Sequence, residues 1–125
     1  MRARAAIALV TDAVLVTTFA AVGRASHESA VLPGLAQTAW PFLVALAAGW
    51  TLARAWRDPL APWRTGIIVW LVTVTGGMLL RAASGQGTAF AFVVVATLTL
   101  LLFVVGWRLL AAALRSLRAR RTVVP

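Results

Sequence analysis

The chain has 125 residues, 62% of them hydrophobic, and three acidic side chains; with a mean hydropathy of +0.91 it is too apolar to be wetted as a soluble domain. The absence of cysteine excludes disulfides, thiolate metal sites and cysteine nucleophiles. A net charge of +9 would suggest nucleic acid in a soluble protein, but here the arginines stand at the ends of apolar runs, where membrane topology accounts for them.

Four apolar spans follow in order, and they predict an all-α, integral membrane four-helix bundle in a single domain. The first covers residues 5–23, about 28 Å at 1.5 Å per residue, enough to cross the hydrocarbon. Its start, Met1-Arg2-Ala3-Arg4, is also that of a secretory signal peptide, but Asp12 in the middle of the apolar run and the lack of a clear cleavage site favour an uncleaved helix. The loop 24–37 carries Ser26-His27-Glu28 and the turn signal Pro33-Gly34. The second span, 38–55, opens on Trp40-Pro41-Phe42, with the proline expected in the first turn, where its missing N–H is harmless. Ala45, Gly49 and Ala53 then form a small-residue stripe suited to close helix approach, within the chain or to a partner.

A connection rich in proline, tryptophan and arginine, 54–64, leads to the third span, 65–80, which contains Gly76-Gly77. The glycine-bearing turn 81–88 precedes the fourth span, 89–110, expected to leave the bilayer near Arg108 and to end in a basic tail, 111–125. Arg2, Arg4, Arg54, Arg57, Arg64, Arg108, Arg115, Arg118, Arg120 and Arg121 flank one set of span ends, against Arg24 and Arg81 at the other. The positive-inside rule therefore predicts a multi-pass plasma (cell inner) membrane protein with both termini cytoplasmic. The tail is expected to meet anionic lipid head groups rather than nucleic acid.

Two groups of residues carry chemistry. An acid at bilayer depth costs on the order of 2.5–3.5 kcal/mol and needs a partner or a wet path; Asp12 is expected to pair with Arg108 first and Arg54 second, both entering from the same face. That pair reads as an inter-helix clamp, the alternative being a small proton- or cation-coupled transporter or channel using Asp12. On the opposite side Arg24, His27, Glu28 and Arg81, with Trp40 at the same level, are a candidate ligand cluster. A single histidine makes a poor metal site, so no metal or cofactor is expected. There is no phosphate-binding glycine loop, no His-Glu-x-x-His and no nucleophile elbow, so no enzyme is expected; a lipid-head-group enzyme built on His27 ranks last.

The ordered set Gly23-Arg24-x-Ser26-His27, Trp40-Pro41-Phe42, Gly77-Met78-x-x-Arg81 and Gly106-Trp107-Arg108 resembles a family of small bacterial and archaeal membrane proteins catalogued as a domain of unknown function. The resemblance spans nearly the whole chain and implies a four-helix membrane protein with no known reaction. Small multidrug-resistance transporters share the size and an acid in the first helix, but theirs is a glutamate in a different aromatic setting. Fluoride channels match the glycine and phenylalanine positions too loosely. The leading expectation is thus a structural or accessory membrane component that self-associates or binds another membrane protein through seams such as Ala45/Gly49/Ala53.

Overall fold

A computed structural model describes residues 2–26 and 31–123. Long apolar runs leave the backbone no cheaper solution than to satisfy its own N–H and C=O groups along each segment, and the described chain is all-helical. Helix α1 is Arg2–Ser26, α2 Val31–Ala53 and α3 Ile67–Ala83; α4 (Phe90–Leu100) runs through a widened turn, Leu101–Val105, directly into α5 (Gly106–Val123). Four segments are long and apolar enough to cross a membrane: Arg2–Arg24, Pro33–Ala53, Pro62–Ala83 and Phe90–Arg121.

These helices extend past the apolar runs because hydropathy marks what lipid accepts, whereas arginine, alanine and leucine continue a helix readily in either solvent. The helix through Arg108 accordingly goes on to Val123 without a break. Two proline readings need correction. Pro33-Gly34 does not make a turn but lies in the first turn of α2, where the proline N–H would be unpaired anyway. Pro41 is instead in the interior of α2 and fully buried, so the Gln37 carbonyl loses its helical partner there.

The tightest packing joins α2 to α3. A Cβ on Gly49 would stand 3.2 Å from the Val69 carbonyl oxygen, and one on Gly76 3.0 Å from the Cβ of Ala45. Ala45 and Gly49 of the expected stripe are therefore packed against α3 inside the chain. Phe42 lies directly on Gly77 and meets Phe19 edge-on with ring centroids 5.4 Å apart; Phe92 closes the trio at 6.1 and 6.2 Å. The core continues from these rings through Val16, Leu46, Val69, Ala96, Leu100 and Val104 to Trp50. Outward, Ile7, Val22, Leu52, Leu79, Phe90, Leu98 and Leu102 are exposed on all the long helices, a surface suited to lipid rather than water.

Candidate functional site

Asp12 sits on the inward face of α1 with no exposed surface. Burying a carboxylate in an apolar interior is prohibitive unless its acceptor positions are filled, and four N–H groups fill them. Oδ1 accepts from Trp107 Nε1 and Arg108 Nη1, each at 2.8 Å. Oδ2 accepts from Trp50 Nε1 at 2.8 Å and Arg108 Nη2 at 2.7 Å. Two carboxylate oxygens offer about four acceptor sites, so the group is saturated. The arginine fork is bidentate, the geometry that gives guanidinium–carboxylate pairs both strength and direction.

Arg108 is equally well held. Its Nε donates to the Pro59 carbonyl at 2.8 Å and its Nη1 also to the Val104 carbonyl at 2.9 Å, while the guanidinium carbon lies 4.7 Å from the centre of the Trp107 ring. Gly66 lets it through, since a Cβ there would stand 3.3 Å from Arg108 Cδ. One buried pair thus ties α1, α2, the connection after α2 and the α4–α5 rod to a single point.

The local backbone explains how Arg108 comes to face inward. Ala96, Leu100, Val104 and Arg108 follow one another at four-residue steps and all four are fully buried. In a regular α-helix each such step drifts by about 40°; the widened turn Leu101–Val105 takes up that drift and keeps the row on one face. A second widened turn, Pro62–Gly66, packs against the first. Trp70 secures the neighbourhood by donating its Nε1 to the Thr97 carbonyl at 2.9 Å.

Of the expected partners, Arg108 stands on Asp12 and Arg54 does not. Arg54 is exposed, with φ 49°, at the left-handed residue that ends α2 and starts the short 3-10 turn Ala55–Arg57. Trp50 and Trp107 supply the further donors instead. Sequence reasoning missed both, together with Pro59, because tryptophans in a membrane chain are expected at the interface; the available signal was an indole inside an apolar run, a donor with nowhere to donate.

At the opposite end, between α1, the first turns of α2, the end of α3 and the start of α4, lies a cavity of about 540 Å³. Arg24 and Arg81 both line it, with Thr38, Gln86, Phe19, Ala20, Phe92 and Val95. Arg24 Nη1 donates to Thr38 Oγ1 at 3.0 Å, and its guanidinium lies on Gly34, where any side chain would displace it. Arg81 donates to the Gly87 carbonyl at 3.1 Å and to the Gln86 Oε1 and carbonyl at 3.2 and 3.1 Å, with its guanidinium carbon 4.3 Å from the centre of the Phe92 ring. Of the expected cluster, Trp40 is 39% exposed and outside the lining. His27 and Glu28 lie outside the described residues. Among the described residues no three His, Cys, Asp or Glu side chains gather as a metal site would need.

A family model described as "Protein of unknown function (DUF3054)" matches residues 9–111, the stretch that holds Asp12, Trp50, Trp107, Arg108 and the whole cavity wall. The chain belongs to this family. No curated protein and no solved structure matches it. In this DUF3054 chain the matched stretch begins just before Asp12 and ends just after Arg108, so the two halves of the buried pair stand near its two ends.

Proposed function

We propose that this DUF3054 chain is a multi-pass plasma-membrane protein with both termini in the cytoplasm, acting as a structural or accessory component with no reaction of its own. The observation that carries the reading is the saturated Asp12 carboxylate. A coupling acid needs a free acceptor position and a path for the ion or proton; here four N–H donors occupy both oxygens of the carboxylate. The arginine bias of the span ends supports the orientation. The exposed arginines of α5 favour anionic head groups, at about 1 kcal/mol each near the surface. Self-association, or docking to another membrane protein, then uses outward-facing side chains, since α3 already covers Ala45 and Gly49.

Reconstitution in liposomes separates this from the coupled-transporter alternative. The expected result is no proton or cation flux above protein-free liposomes, with Asp12→Asn lowering the unfolding free energy by about 3–5 kcal/mol, as for one partner removed from a buried pair. Flux that disappears in a folded Asp12→Asn protein overturns the reading.

A further inference from the structure

The cavity at the Arg24/Arg81 end is not part of the Asp12 joint, and its walls have two chemistries. Arg24 and Arg81 form a cationic end with no Asp or Glu among the described lining residues. Phe19, Phe92 and Val95 form an apolar wall, and Val95 is 54% exposed on the outer face of α4, so the apolar part opens toward lipid. The volume falls within the range of about 300–1,000 Å³ typical of small-molecule sites.

Arg81 is already set for a ligand. Of a guanidinium's five N–H groups, three are used on its own turn, and one on each Nη has no acceptor among the described residues. Stacking on Phe92 and the three bonds fix the plane of the group, so little side-chain freedom remains to be lost on binding. Arg24, at the same end, is held by Thr38 and lies on Gly34.

We propose that this cavity binds an amphiphilic oxyanion: a carboxylate or phosphate head between Arg24 and Arg81, and an alkyl chain along Phe19, Phe92 and Val95 that leaves past α4. Two sources share that chemistry, a phospholipid of the surrounding leaflet and a free single-chain amphiphile. A head group there meets guanidiniums whose planes are already held, and charge-assisted bonds to them are stronger than bonds between neutral groups.

The test is calorimetric titration of the full chain in phosphatidylcholine nanodiscs, with empty discs as the blank. The probes are dodecanoate, dodecyl phosphate, dodecanol, inorganic phosphate and phosphatidylglycerol. The expected result is saturable binding of one anionic amphiphile per chain, with dodecanol and inorganic phosphate each weaker by roughly tenfold or more. Arg81→Gln should weaken the anion by a similar factor. Val95→Trp, which fills the cavity from an exposed position and leaves both charges, should do so too and keeps the test valid if Arg81→Gln does not fold. Tighter binding of phosphatidylglycerol than of dodecyl phosphate identifies the bilayer as the source, and the reverse a free amphiphile. Equal affinity for dodecanol, equal affinity for inorganic phosphate, no saturable binding, or unchanged binding in Val95→Trp overturns the proposal.

Discussion

Four N–H donors around Asp12 do different things. The arginine fork supplies charge and direction; the indoles of Trp50 and Trp107 fill the positions that water would otherwise occupy. A lysine at position 108 keeps the charge but has three donors on one nitrogen, and these cannot reach both carboxylate oxygens together with the Pro59 and Val104 carbonyls. Arg108→Lys is therefore expected to lose about 2–4 kcal/mol in denaturant unfolding, somewhat less than full removal of the charge. Stability equal to the parent would mean that charge alone, rather than the fork, holds the joint. Asp12 and Arg108 were legible residue by residue because each is an anomaly in an apolar run. Trp50 and Trp107 were not, since an indole in a membrane chain is assigned to the interface, and its depth in the run signals a buried acceptor without saying which one.

Helices pack here through absence of side chain as much as through its presence. Gly77 lies under the Phe42 ring, Gly49 under the backbone at Val69 and Gly66 under Arg108. Gly77→Ala places a methyl group inside the Phe42 ring and is expected to cost about 1–3 kcal/mol by overpacking. Phe42→Leu on the same chain should recover part of that loss, and a double-mutant cycle in thermal unfolding reads the coupling. Additive effects would show that the two residues do not press on each other. The widened turns belong to the same scale: Pro62–Gly66 and Leu101–Val105 pack together, and the second keeps Arg108 in line with Ala96. Hydropathy along the chain is blind to them, because one inserted residue changes the direction of side chains without changing composition.

For the whole molecule, the arginine asymmetry and the two polar ends make a topological prediction that this chain is well suited to test, as it contains no cysteine. Exposed Ser84, in the turn after α3, and exposed Ser116, on α5, are convenient sites for single cysteines. In intact cells Ser84→Cys should react with a membrane-impermeant maleimide, and Ser116→Cys only after the membrane is opened. The opposite pattern would invert the orientation. The all-helical class, the four long apolar segments, the family and the two key charges were decided along the chain, because hydropathy, span length and isolated charge are local properties that survive without a fold. Tertiary structure alone decided what those features meet. It set Ala45 and Gly49 against α3, replaced Arg54 by two indoles and a proline carbonyl at the Asp12 joint, and brought Arg24 and Arg81 to one cavity. Each depends on the rotation and register of one helix against another, which is set by packing across the bundle rather than by any single segment.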